Sequence, residues 1–328
     1  MDRRYFLKSC LNATIIAAFS GLATWRIMFD SEDDALFHYD LATMNTGGQI
    51  KLAHKPEQAI KARQATVSRM DYLVEKLSKF NPSSDVSRIN ANPGAWVSVS
   101  KDTALVLSKG LRWMKESHGY FDMGMGNFLC LKGLDDTVAK VGINALSQTQ
   151  LCETLLKIDG NMVYLERPNT MLDLGGIAKG YILEEMIKTL KQYGVQHAAI
   201  DIGGDLAVMG GRPNGQPWTV GLDPEAKVNH SEGIVFSLRD GGVASSGAYR
   251  KRAIDQHGKV KHHIIDPHSF STHEYYALAT AIGPSPMRAD VLAKECFNTP
   301  PEDQSFFKSC HPGYELIAWP KVNESIIT

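Results

Sequence analysis

Two short segments constrain this chain more than any other: Met171–Ile182, MLDLGGIAKGYI, and Asp201–Asp205, DIGGD. In each, a carboxylate and two glycines close a short apolar run. Met171-Leu-Asp-Leu reads as a strand ending at Gly175-Gly176. Ala178 to about Tyr193 then reads as a helix, with Ile182, Met186, Ile187 and Leu190 at helical spacing. A strand, a glycine turn and a helix start make an anion site, because free N–H groups and the positive helix end face the turn. Gly175 and Gly176 admit an approach that a Cβ would block. Lys179, in the first turn, can reach a phosphate as a point charge. The plainer alternative is a helix entry whose Asp173 satisfies orphan N–H groups. Asp201-Ile-Gly203-Gly204-Asp205 follows a second apolar run, Ala198–Ile202, in the same manner. Neither segment is G-x-G-x-x-G or G-x-x-x-x-G-K-[ST], so neither a dinucleotide-binding Rossmann unit nor a P-loop is indicated.

Composition bounds the rest. With 43% hydrophobic and 22% charged residues among 328, the chain can bury a core and is not a disordered polyelectrolyte. A formal net charge of -1 gives no electrostatic case for nucleic acid. Asp2-Arg3-Arg4-Tyr5-Phe6-Leu7-Lys8 is similar to the twin-arginine export signal. An apolar run, Leu11–Trp25, follows it and carries a small-x-small site at Gly21-Leu22-Ala23. A short N-terminal membrane anchor is the alternative, although Asn12, Thr14, Ser20 and Gly21 dilute a run that needs about 20 apolar residues to span. Either reading places the folded body on the periplasmic side of the inner membrane. Residues 1–25 are thus expected to be signal or anchor, 26–40 a linker around the acidic run Asp30–Asp34, and 41–328 the folded domain. Cys130, Cys152, Cys296 and Cys310 allow three pairings, among which spacing does not choose. They read as small core residues.

Along the chain, His38–Leu52 reads as a strand or a hairpin, with Gly47-Gly48 as the turn. Helices are expected over Pro56–Lys79, Asp102–Ser117 and Leu146–Lys157, and strands at Val97–Val99, Met162–Glu166, Trp218–Leu222, Ile234–Leu238 and Ala277–Ile282. Ser285-Pro286 opens the last helix as N-cap and first helical position. Helices and short strands interleave without a βαβ rhythm, so the class is α+β, with mixed sheets and flanking helices. On the last helix Asp290 and Lys294 are four apart and share a face. Asp290 would suit Mg²⁺, whereas a protonated Lys294 could not be a ligand. His262 and His263 precede Ile264-Ile265-Asp266-Pro267, and alternation lets only one of them enter a given site. A His there suits a general base, while a hydrogen-bonded structural His is the commoner role. No H-x-x-x-H pair points to zinc.

Taken in order, these pieces resemble the ApbE family, the FAD:protein FMN transferases, over roughly Met44 to Lys294. The resemblance rests on Met44-Asn-Thr46, F-N-P-S-S-D-V-S-R-I-N from Phe80, G-Y-F-D at Gly119, L-D-L-G-G-I-A-K-G-Y at Leu172 and D-I-G-G-D at Asp201. It continues with A-S-S-G-A-Y-R at Ala244, H-I-I-D-P at His263 and M-R-A-D at Met287. It implies an ApbE-like, T-fold-related architecture with FAD in a cleft between subregions. It further implies that a Ser or Thr hydroxyl of an exported or membrane redox protein attacks the FMN phosphorus, Mg²⁺ assisting, and that AMP leaves. Carried over by residue, Met44, Phe80, Tyr120, Phe121, Asp122, Asp173, Lys179 and Ile264 would contact FAD. Gly176 would offer a carbonyl and Asp290 a carboxylate to Mg²⁺, and His263 would be the base. Two departures stand out: Lys294 replaces the Thr that ligates metal in the family, and M-G-M-G-N follows Asp122 where relatives have P-T-V-G-P. Lys294 keeps two other readings open, a flavin carrier or assembly protein without transfer and a Mg²⁺-dependent FAD pyrophosphatase.

Overall fold

The computed structural model describes residues 25–28, 36–126, 156–166, 170–222, 235–247, 252–254, 260–262, 264–273 and 275–320. The frame is a seven-stranded antiparallel sheet. Its strands are β2 (Phe37–Thr43), β3 (Thr46–Ala53), β7 (His197–Ile202), β8 (Asp205–Met209), β11 (Gly241–Gly247), β14 (Tyr276–Gly283) and β15 (Glu315–Pro320), in the order β15-β14-β11-β8-β7-β3-β2. Helix α4 (Ala178–Gln192) packs on both α1 (Pro56–Leu77) and α5 (Pro286–Asn298), and α5 lies against β11 and β14. A three-stranded sheet of β1 (Trp25–Met28), β9 (Trp218–Leu222) and β10 (Val235–Leu238) completes the second side. A further sheet, β4 (Trp96–Ser98), β5 (Leu156–Asp159) and β6 (Met162–Leu165), accompanies α2 (Asp85–Ala91) and α3 (Lys101–Glu116). Outside these lie the pair β12 (Arg252–Ile254) and β13 (Val260–His262) and the short helix α6 (Gln304–Ser309).

Strand alternation explains this layering. In β8, Ala207 and Met209 join the helix-side core, while Leu206 and Val208 join the core shared with Trp218 and Val220. All five β8 residues are buried, as expected of a strand covered on both faces. The helices are tied by charge as well as by apolar contact: Arg69 of α1 pairs with Asp102 of α3 and with Glu185 of α4. The tightest approach is between α4 and α5. A Cβ on Gly180 would stand 2.4 Å from the Pro286 carbonyl oxygen and 2.6 Å from the Met287 Cα, so only glycine fits there.

Several expectations need correction. Strand β1 joins Trp25 of the expected segment 1–25 to residues 26–28 of the linker 26–40, which also holds the start of β2, whose alternating F-H-Y-D-L-A-T lies beyond the acidic run. The hairpin between β2 and β3 turns at Met44-Asn45, both at positive φ (49° and 58°), in a two-residue loop closed by Thr43 and Thr46. Gly47 and Gly48 are strand residues instead. Met171–Leu174 makes only a single bridge, Met171 to Met125, and not a strand. Cys310 is exposed, while Cys296 is buried, and both are free thiols. The signal segment 1–24, most of the expected helix Leu146–Lys157, and Cys130 and Cys152 lie outside the described residues. Among the described residues no helix is long and apolar enough to cross a membrane.

Candidate functional site

The first D-x-G-G turn is built by distant partners. The Asp173 N–H donates to the Met123 carbonyl at 2.7 Å, and Gly126 N–H donates to the Met171 carbonyl at 3.0 Å. On the other side, Asn90 of α2 acts as a one-residue strand. Its amide donates to the Leu172 carbonyl at 3.0 Å, and its side-chain oxygen accepts from the Leu172 N–H at 2.8 Å. The segment therefore enters the glycines extended, with its backbone groups satisfied. Asp173 Oδ1 then accepts from Gly175 N–H at 2.8 Å, and Oδ2 lies 2.9 Å from Lys79 Nζ. The Lys79 side chain is 5% exposed and its ammonium stands 5.1 Å over the Phe80 ring. Phe80 itself is 56% exposed, an aromatic face left open beside a buried charge.

Asp173 is not the cap of α4. The N-cap residue, Ile177, has no capping side chain. Asp290 supplies the cap from α5: its Oδ2 accepts from Gly180 N–H at 3.1 Å. Helix α5 can do this because its own start is fixed. Ser285 Oγ accepts from Arg288 N–H at 3.1 Å, Pro286 takes the first position, and Glu184 of α4 accepts from Met287 N–H at 3.2 Å. One turn on, Lys294 Nζ lies 2.7 Å from Asp290 Oδ1. Its stem crosses Gly176: a Cβ there would meet Lys294 Cδ at 2.7 Å, Cε at 2.9 Å and Phe121 Cε2 at 3.1 Å. Lys179 pairs with buried Asp205, which also accepts from Ser245 N–H at 3.1 Å. Burial alone would raise the Asp290 carboxyl. Lys294, Lys179 and the Gly180 N–H nevertheless hold it below the ordinary carboxylate range.

Two other expected contact segments are tied to the end of the same helix. Asn298 donates to the Tyr120 carbonyl at 3.2 Å and to the Ile265 carbonyl at 3.3 Å, joining the Tyr120–Asp122 loop to the Ile264 segment. Phe121, Asp122 and Ile264 are buried, and Asp122 Oδ1 accepts from Gly124 N–H at 2.6 Å. The Tyr120 ring packs edge-on against His268. His262 is structural: Nε2 lies 2.8 Å from the His273 carbonyl and Nδ1 accepts from Ile264 N–H at 3.3 Å. His263, the expected base, lies outside the described residues. Asp266 accepts from the His268 and Ser269 N–H groups and from His273 Nε2 at 2.6 Å, which locks the turn after Ile265.

Met44 stands apart from this group, in a turn whose neighbour Thr46 abuts the second D-x-G-G segment. That second segment differs in kind. Gly203 and Gly204, at φ 62° and 88°, form the two-residue loop of the β7–β8 hairpin between paired Ile202 and Asp205. Asp201 Oδ1 accepts from Gly204 N–H at 2.8 Å and so caps its own loop. No helix follows, and the anion-site reading does not extend to it. Lys79 and Asn298 are residues that sequence reasoning missed, and Asn90 entered it only as the end of the segment from Phe80, without a role.

The residues at the α4–α5 junction do not fit a divalent cation. Among the described residues no group of three or more His, Cys, Asp or Glu side chains could hold a metal ion. Of the expected ligands, Asp290 has one oxygen on Gly180 N–H and the other on the Lys294 ammonium, and Lys294 brings positive charge where Mg²⁺ needs oxygen donors.

Comparison with known proteins places these features in a wider set. Residues 44–317 match the family model described as "ApbE family". The FAD:protein FMN transferase of Haemophilus influenzae is 26% identical over 280 residues, covering 79% of this chain and 77% of that protein. The FAD:protein FMN transferase of Vibrio cholerae is 27% identical over 239 residues, covering 70% and 71%. The crystal structure of the Pseudomonas stutzeri flavinyl transferase ApbE, apo form, shares the fold with a TM-score of 0.74 at 24% identity, covering 88% of this chain and 96% of that one.

Proposed function

The chain belongs to the ApbE family, and on that premise we propose that it is an FAD:protein FMN transferase. FAD is the donor substrate. A Ser or Thr hydroxyl of a redox protein attacks the FMN phosphorus, a phosphoester forms, the P–O bond to the AMP phosphate breaks, and AMP leaves. The observation that carries this reading is the convergence of separate segments at the start of α4. The Asp173–Gly176 turn, Phe121 and the Asp290–Lys294 face of α5 meet there, and Asn298 fixes the Tyr120 and Ile264 segments to the same helix.

Phosphoryl transfer of this kind needs positioning and charge neutralisation more than covalent chemistry from the protein. The chain offers fixed positive charge in Lys79, Lys179 and Lys294, each set against a carboxylate that holds it in place. Phe80 offers an exposed aromatic face for a planar ring. Met44, Tyr120, Asp122, Asp173 and Ile264 complete the FAD contacts in this proposal. His263 takes the hydroxyl proton, and Asp290 acts by orienting Lys294. No step is assigned to Mg²⁺, because the donor set does not suit it. The twin-arginine-like N-terminus supports acceptors at the periplasmic face of the membrane.

The test is transfer itself. The full chain is incubated with FAD and a protein carrying a D-G-x-T-[GS]-A-[ST] segment, then assayed for flavin fluorescence on a denaturing gel and for AMP. A fluorescent acceptor band with stoichiometric AMP is expected. AMP without a band would replace the reading with FAD hydrolysis. Bound FAD with neither product would replace it with a flavin-binding protein.

A further inference from the structure

The α4–α5 junction carries its own cation. Lys294 is held at two points: its stem lies over Gly176, close to which Phe121 also packs, and its ammonium is 2.7 Å from Asp290. The Asp290 side chain is 2% exposed and that of Lys294 20%, so the carboxylate is buried and the lysine partly open. The second Asp290 oxygen is occupied by Gly180 N–H, and the neighbouring Lys179 is committed to Asp205. A Mg²⁺ ion needs about six oxygens at roughly 2.0–2.1 Å. Here it would find one carboxylate, already doubly engaged, with an ammonium bonded to it. An ion placed on that oxygen would have to expel Lys294 from a position fixed by packing as well as charge.

We infer that the Lys294 ammonium is the cation of this site, a tethered monovalent counter-charge for the FAD pyrophosphate, so that FAD binding and transfer proceed without a divalent ion. The inference rests on the reading of the chain as an FAD-using transferase. An ammonium has three N–H donors. Asp290 takes one, which leaves the others for phosphate oxygens. As the acceptor oxygen bonds to phosphorus and the P–O bond to AMP breaks, negative charge grows on the departing phosphate. A fixed ammonium stabilises that charge without having to be recruited from solution.

The test uses the full chain with FAD. Quenching of flavin fluorescence gives the FAD dissociation constant in excess EDTA and in excess Mg²⁺. For the wild type the two constants should agree within about twofold, and for Lys294→Thr Mg²⁺ should tighten binding roughly tenfold or more. A wild-type chain that binds FAD only with Mg²⁺ overturns the inference and leaves the transferase reading standing. FAD bound under neither condition overturns both. Because the variant could fail to fold, a second measurement uses the wild type alone: the electron paramagnetic resonance signal of free Mn²⁺ is titrated with FAD-loaded protein. The free signal should fall no further than FAD alone would lower it. Stoichiometric loss of the signal would show a divalent site and overturn the inference.

Discussion

The two D-x-G-G turns share a sequence and do opposite work. At Asp201–Gly204 the contacts stay within one sheet: a two-residue hairpin loop, two glycines at positive φ, an aspartate that accepts from a backbone N–H three residues on, and the Gly203 N–H donating to the Gly47 carbonyl of neighbouring β3 at 3.0 Å. At Asp173–Gly176 almost nothing is local. The strand partner is the side chain of Asn90, 82 positions away, the counter-ion is Lys79, and the following helix is capped by Asp290, 110 positions from Gly180. A turn satisfied within its own sheet stiffens that sheet. A turn satisfied from three other elements brings their functional groups together, which is what phosphoryl transfer requires.

Asp173→Ala would break this comparison open most forcefully. It takes the Asp173 carboxylate from the buried Lys79 ammonium and from the Gly175 N–H, at a cost of about 3–5 kcal/mol, against about 1–3 kcal/mol for Asp201→Ala, which removes a loop hydrogen bond and a carboxylate whose charge acts on Lys51. Urea denaturation of the two variants measures the difference, and equal losses would show the turns to be equivalent. Next in size is Asn90→Ala, which strands the Leu172 N–H and carbonyl at roughly 1–3 kcal/mol and weakens FAD binding in parallel. Unchanged FAD affinity would detach Asn90 from the site. Gly203→Ala should cost about 1–2 kcal/mol through its left-handed backbone and the approach of the new Cβ to Thr46, and should weaken FAD binding less than Asn90→Ala does.

The smallest expected effect is on pH dependence. Burial alone would raise the Asp85 carboxyl at the start of α2, but hydrogen bonds from Ser100, Thr103 and Arg88 hold it below its ordinary range. A depressed folded pKa stabilises above the unfolded value of about 3.9 and is lost as pH falls through the folded value. Asp85→Asn should therefore flatten the acid limb of the stability profile below about pH 4. A limb as steep as the wild type's would assign acid sensitivity to other carboxylates.

Much of the fold was legible because its signals are local. The 3.6-residue period marked α1, α3 and α4, and Ser285-Pro286 marked the start of α5 within a residue. The β2–β3 turn misled because Gly47-Gly48 resembles a turn signal. Gly48 is glycine for another reason: a Cβ there would stand 2.3 Å from the Asp201 carbonyl on the adjacent strand. Asp290 and Lys294 were legible as an i, i+4 pair, and the structure adds what lies beneath them, Gly176 and Gly180. Lys79 and Asn298 had no local signal, and Asn90 only closed the F-N-P-S-S-D-V-S-R-I-N segment, because each gains its role from a partner far along the chain.

One comparison tests the central claim directly: FMN transfer from FAD to an acceptor protein by the wild type, Asp173→Asn and Asp201→Asn, with folding of each verified by circular dichroism. Wild type and Asp201→Asn should label the acceptor and release AMP, while Asp173→Asn should do neither. Labelling retained by a folded Asp173→Asn and lost by a folded Asp201→Asn would contradict the account and move the site to the hairpin.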